Sequence, residues 1–352
     1  MTVKYWMLGA VAAITLGYTP VSAYAEQTPE AMAEEAGTTV TDLKELYARP
    51  TDPIPEPDDN KFTQDRYELG KMLFFDPRLS RSKVMSCATC HNPSFSWGDA
   101  LPKGVGDKHN ELGRRSPTIL NLAWDDLLFW DGRAASIEEQ ALGPIASEVE
   151  MNMPHETMIR DLKDVKGYDP YFAKAFPGEK DPMNKENIAK AIAMFERRVI
   201  SGEAPFDKWV KGDEKAISES AKRGFVLYNT KGNCAVCHSG WRMSDGSFHD
   251  IGVNDDDIGR GKFVKDDILM QHAFKTVGLR NIAERGPYMH NGSVPTLDAV
   301  IDHYNDGFVE RESLSPAMKK LGLNDVEKKD LVEFLKTLSS QDEPVTLPTL
   351  PR

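Results

Sequence analysis

Residues 87–91 read Cys-Ala-Thr-Cys-His and residues 234–238 read Cys-Ala-Val-Cys-His; the reading of these two pentapeptides decides the fold. In each, two residues separate the cysteines and histidine follows the second directly. CxxCH is the attachment signature of c-type haem. Each thiol forms a thioether to the porphyrin edge, and the short link puts the adjacent imidazole under the iron as proximal ligand. A four-cysteine zinc site or a thioredoxin-like pair would need the cysteines alone, and neither accounts for a histidine at the same offset twice. Cys87 and Cys90 with His91, and Cys234 and Cys237 with His238, therefore predict two covalently bound haem c groups. They use all four cysteines of the chain and leave none for a disulfide.

Outward from the motifs, the chain of 352 residues is long enough for two domains of ordinary size. Apolar stripes at helical spacing predict a helix from about Arg66 to Phe75 ahead of the first motif and another from Glu186 to Ile200 carrying Ile188, Ile192, Phe195 and Val199. The second half repeats this plan, with Ala221, Phe225 and Tyr228 before its motif and Leu331, Phe334, Leu335 and Leu338 near the end. The expected class is mainly α, two cytochrome c-like helical domains with long loops, over residues 61–203 and 204–352. Pro50, Pro53, Pro55 and Pro57 mark residues 26–60 as a flexible N-terminal arm. Before it, Lys4, an uncharged stretch and Ala23-Tyr24-Ala25 form a secretory signal pattern over residues 1–25, which places the mature protein in the periplasm without a membrane span. The formal net charge of −12 argues against a nucleic-acid partner or a basic lipid-binding surface.

Several further motifs stand in fixed order: Cys87 to Pro93, Arg114 to Asn121 (RRSPTILN), Phe129 to Ala134 (FWDGRA), Val149 to Pro154 (VEMNMP), the second CxxCH, and Leu279 to Gly292 (LRNIAERGPYMHNG). From about residue 65 to 340 this order resembles the bacterial di-haem cytochrome c peroxidase and MauG family. The resemblance implies that the N-terminal haem reacts with hydrogen peroxide and that the C-terminal haem handles electrons. Glu150 then matches the distal glutamate that moves a proton between the peroxide oxygens. Gln140 and Pro144 match distal-pocket positions, and Trp130 matches the tryptophan that relays electrons between the haems. A solvated acidic residue, a surface glutamine, a loop proline and a core tryptophan are the plain readings of these four without the motifs.

Branches of the family differ in the sixth ligand of the second haem: methionine in classical peroxidases, tyrosine in MauG-like proteins. The segment Thr296 to Gly307 (TLDAVIDHYNDG) is similar to the MauG pattern and puts Tyr304 at that position, with His303 as rival; neighbours on a helix point about 100° apart, so only one can face the iron. His109 lies in the loop after the first motif, where some classical members carry a capping histidine. A solvated loop histidine is the simpler reading. His155, His249, His272 and His290 take no role.

There are two departures. The family's interdomain calcium ion would draw on carbonyls of Arg285 and Pro287, but Arg115 stands where an asparagine oxygen often helps, and arginine offers calcium no donor. Gly232 stands where a MauG surface tryptophan passes oxidising equivalents to a protein substrate. The resemblance implies a MauG-like enzyme that uses hydrogen peroxide to reach a high-valent iron state and oxidises a partner protein at tryptophan, as in maturation of the tryptophan-derived quinone of methylamine dehydrogenase. The alternatives are a peroxide-reducing cytochrome c peroxidase fed by a small cytochrome c or cupredoxin, and a non-catalytic di-haem electron carrier.

Overall fold

The computed structural model describes Tyr24, residues 27–342 and residues 344–352; apart from Tyr24, the expected signal segment lies outside the described residues. Short helices α1 (Pro29–Glu35) and α2 (Val40–Glu45) come first. The first half then holds α3 (Gln64–Phe74), the single turn α4 (Cys87–Cys90), α5 (Ile137–Ala146), α6 (His155–Lys163), α7 (Asp169–Ala175) and α8 (Lys185–Glu196). The second half holds α9 (Pro205–Val210), α10 (Glu219–Asn229), α11 (Leu297–Asp302) and α12 (Asp325–Lys336). Two-residue strands β1 (Phe248–His249) and β2 (Phe274–Lys275) pair antiparallel between them. The class is mainly α, as expected.

Each half is built on one crossed helix pair. Thr63, Asn184, Ser218 and Asn324 cap the N-termini of α3, α8, α10 and α12 with side-chain oxygens, satisfying amides that would otherwise lack partners. In the first half, Leu69, Leu73 and Phe74 of α3 bury against Ile188, Ile192 and Phe195 of α8, with the Phe74 and Phe195 rings 5.0 Å apart. In the second, Phe225 and Tyr228 of α10 meet Phe334 of α12 at 5.5 and 5.1 Å. Both crossings depend on a glycine. A Cβ on Gly70 would strike the Ala191 carbonyl, and one on Gly224 the Asp330 carbonyl.

The repeat continues past the helices. Asn121 and Asn281 both adopt left-handed backbone, as do Phe129 and Met289, and Gly132 and Gly292. The bridge Leu128–Ala134 has its counterpart in Tyr288–Val294. Ser136 caps α5 and Thr296 caps α11 in the same way. One constant offset relates all these pairs.

The segment expected to be a mobile arm is packed instead. Met32, Ala33, Leu43 and Tyr47 are buried in the core of the second half; Tyr47 sits edge-on to Phe206 and Phe225 and donates to Asn229 Oδ1 at 2.6 Å. The proline cluster lies in a stretch without helix or strand, and the aromatic anchor precedes it. The C-terminal residues cross the other way: Val345 and Leu350 pack on the first core, and the Pro351 carbonyl accepts from Arg78 at 2.9 Å. Each terminal segment thus straps the half more distant from it in sequence.

Candidate active site

Two cavities flank the interface between the halves. The first, of about 490 Å³, is lined by Cys87, Cys90 and His91; the second, of about 190 Å³, by Cys234, Cys237 and His238. None of the four cysteines is joined in a disulfide. His91 Nδ1 lies 3.4 Å from the Trp97 carbonyl and His238 Nδ1 lies 2.9 Å from the Met243 carbonyl. A carbonyl at Nδ1 holds the proton there and leaves Nε2 as the lone-pair nitrogen, the state an iron ligand requires. Burial lowers both imidazoles' affinity for a second proton. The second cavity adds an apolar wall from Leu297, Val300, Ile301, Leu331 and Leu335. Paired thiols, an oriented imidazole and an enclosing apolar wall fit a covalent haem at each site.

Glu150, Gln140 and Pro144 all line the first cavity. Pro144 lies inside α5 and Gln140 one turn before it, so both project from one helix. The Gln140 Oε1 is buried without a partner, a polar atom available to a small ligand. Burial raises the Glu150 carboxyl above its ordinary range, opposed by Arg133. Its place is held by the backbone, since its carbonyl accepts from the Asp107 amide at 2.7 Å. His109 is exposed and outside the lining of this cavity; the loop carrying it turns through left-handed Lys108 and His109. Sequence reasoning missed Glu196. This glutamate of α8 lines the same cavity and is 3% exposed, and burial pushes its carboxyl up to about 8. It stands directly after Phe195 of the apolar stripe, a position that reads as the flank of a core helix.

Tyr304 lines the second cavity and His303 does not. His303 Nε2 is instead 2.8 Å from the Ile251 carbonyl. The chain widens to a π-helical turn over His303–Gly307, which separates the two neighbours as the 100° argument required. Burial raises the Tyr304 phenol well above its ordinary value, so without iron it stays protonated. Met289 and Met318 also line this cavity.

Trp130 is 9% exposed and lines both cavities. Its Nε1 donates to the Arg115 carbonyl at 2.8 Å, and its ring meets His290 edge-on at 6.4 Å. His290 in turn stacks on Phe274 at 3.5 Å and pairs with Asp255 at 2.6 Å. The calcium expectation fares differently. The Arg285 carbonyl, one of its two donors, accepts a hydrogen bond from the Arg115 guanidinium. A divalent cation would have to displace that donor and sit beside buried arginines, so the residues present do not fit calcium.

Residues 64–215 match the model of the di-haem cytochrome c peroxidase family, and residues 221–339 match that of cytochrome c. The chain is 48% identical to the methylamine utilization protein MauG of Methylorubrum extorquens, over 91% of each chain. This chain belongs to the di-haem cytochrome c peroxidase and MauG family. It is also 36% identical to the cytochrome c551 peroxidase of Pseudomonas aeruginosa, over 82% of this chain and 83% of that one. Among solved structures, a MauG-like protein associated with microbial copper homeostasis superposes with a TM-score of 0.78 at 28% identity, covering 83% of this chain and 95% of that one. The chain is therefore a haem oxidoreductase of the peroxidase type, and its family membership implies haem c in both cavities.

Proposed function

We propose that this enzyme is MauG-like: it draws two oxidising equivalents from hydrogen peroxide and spends them on side chains of a partner protein in the periplasm, at tryptophan by resemblance. The observation that carries this reading is the presence of Tyr304, with His303 turned away, in the cavity of His238. A phenolate is a hard anionic donor suited to a more oxidised iron, which a methionine thioether is not. The haems supply the redox chemistry; the protein supplies the rest. His91 and His238 would hold the two irons, and the Glu150 carboxyl would move a proton from one peroxide oxygen to the other. Gln140 orients the peroxide with its free Oε1, Pro144 shapes the wall, and Trp130 lies between the cavities to carry electrons. Peroxide leaves as two water molecules after taking up two electrons, withdrawn from the partner, and two protons.

The position of the MauG exit tryptophan is closed in this chain, because a Cβ on Gly232 would lie 2.8 Å from the Leu227 carbonyl oxygen. Among the described tryptophans, Trp97, Trp130 and Trp209 are buried, and only Trp124 and Trp241 are partly exposed. These two meet edge-on at 4.8 Å. Trp241 follows His238 by one short turn, and the neighbours Leu122 and Asp125 of Trp124 line the first cavity. The pair is the exit we assign.

The test is the visible and near-infrared spectrum of the fully oxidised holoenzyme after one equivalent of hydrogen peroxide, without donor. A long-lived doubly oxidised species, lost in Tyr304→Met, is the expected result. No reaction until one haem is reduced would overturn it in favour of a peroxidase that consumes peroxide with electrons from a small cytochrome or cupredoxin. The non-catalytic carrier predicts no peroxide response at all.

A further inference from the structure

The constant offset that relates Asn121 to Asn281 also relates Arg115 to Lys275, Trp130 to His290 and Asp125 to Arg285. These residues form the interface between the halves, and they do so reciprocally. The Lys275 amide donates to the Trp130 carbonyl and the Arg115 amide to the His290 carbonyl, both at 2.8 Å. The backbone therefore obeys an approximate twofold relation. The charges do not. On one side Lys275 Nζ pairs with Asp125 at 2.7 Å, and Arg242 joins the same carboxylate at 2.6 Å. On the other side Arg115 faces Arg285, so two cations stand where the first side has cations around an anion.

Neither guanidinium is neutralised within the described residues. Arg115 is 8% and Arg285 4% exposed, yet neither makes an ion pair with any described carboxylate. Arg115 donates to the Arg285 carbonyl and Arg285 to the Gly278 carbonyl at 2.5 Å. The Nε atoms of both are buried without a partner. Burying a charge without a counter-charge is among the costliest arrangements a protein can adopt. Both residues also line both cavities, so a ligand in either cavity reaches them. Haem c carries two carboxylate side chains, and two haems bring four.

We infer that Arg115 and Arg285 are a built-in anion site for haem carboxylates at the domain interface, and that the Arg115 guanidinium stands there in place of a metal cation. The guanidinium fork matches a carboxylate with two parallel donors. The Arg115 carbonyl holds Trp130 Nε1, so the residue that binds the carboxylates also positions the aromatic ring between the haems. Arg115 is a positioning residue toward Trp130 and a ligand-binding residue toward haem. The inference rests on haem occupancy of both cavities and is independent of what the enzyme oxidises.

The test is a spectroelectrochemical titration of both haems in the holoenzyme, with no peroxide or partner present. In the wild type, a calcium chelator and added calcium should leave both midpoint potentials and the absorption spectrum unchanged. Arg115→Gln should lower the midpoint potentials, because removing a nearby cation favours the more positively charged oxidised haem, and Arg115→Lys should hold them close to the wild type. A purely structural role would not follow charge in this way. A chelator-induced shift in the wild type overturns the inference, as does an Arg115→Gln protein with full haem content and unshifted potentials. Should Arg115→Gln not fold, Arg285→Gln and the chelator arm on the wild type decide the matter.

Discussion

The chemistry assigned to single residues turns on burial of groups that prefer water. The Glu150 carboxyl is raised by desolvation and lowered in part by Arg133. Glu150→Gln should slow peroxide activation by about 10²- to 10⁴-fold, the usual worth of general acid–base assistance, with haem content intact; stopped-flow absorption measures this. Glu196 shares the cavity and is pushed up to about 8 from an ordinary value of 4.5. A carboxyl raised in the folded state contributes stability at acid pH that is lost as pH climbs from the unfolded value through the folded one. Stability should therefore decline between about pH 4.5 and pH 8 by a component that Glu196→Gln removes; thermal melts across that range read it. If Glu196→Gln rather than Glu150→Gln abolishes peroxide activation, the distal assignment moves to α8. Glu150 was legible because its motif is distinctive. Glu196 was not, because one charged residue beside an apolar stripe has no local mark of being buried.

At the scale of elements, the two helix crossings set where the haem motifs can lie. Gly70 lets α3 approach α8, and Gly224 lets α10 approach α12, backbone to backbone, and a methyl group at either position forces that pair apart. Gly70→Ala and Gly224→Ala should each destabilise the protein by about 1–3 kcal/mol, the ordinary range for overpacking, seen as a lower melting temperature. The apolar periodicity of these helices was plain in the sequence. Their partners were not, since a stripe shows which face is buried but never against what. The same holds for α1 and α2: each is under eight residues, too short to stand out by periodicity, and both are held by packing onto the second core.

For the whole molecule, the decisive feature is that both cavities share one wall. Trp130, Arg115 and Arg285 belong to both linings, so a charge or electron placed in one site is felt in the other. The exit assigned to Trp124 and Trp241 lies beside the first cavity, whose lining includes their neighbours Leu122, Asp125 and Arg242. Replacing both with phenylalanine should leave the peroxide-dependent spectrum unchanged while slowing oxidation of the partner protein, measured by mass spectrometry of added oxygen or cross-links. Equal rates in the double variant would place the exit elsewhere. The reciprocal strapping of the terminal segments, with Tyr47 on the second core and Leu350 on the first, means that the halves are stabilised together.

The sequence by itself determined the helical class and the family, and it predicts the two haem attachments, because thioether formation needs a fixed short spacing and helix burial a fixed period, both readable along the chain. It also named Glu150, Gln140, Pro144 and Trp130 as a set. The motif pointed to Tyr304, but that Tyr304 lines the cavity of His238 while His303 turns to the Ile251 carbonyl is visible only in the tertiary structure, since the two are adjacent in sequence. The packed N-terminal segment, the buried Glu196 and the facing arginines likewise emerge only in three dimensions. Burial and charge pairing are properties of neighbours far apart along the chain, and no local pattern records them.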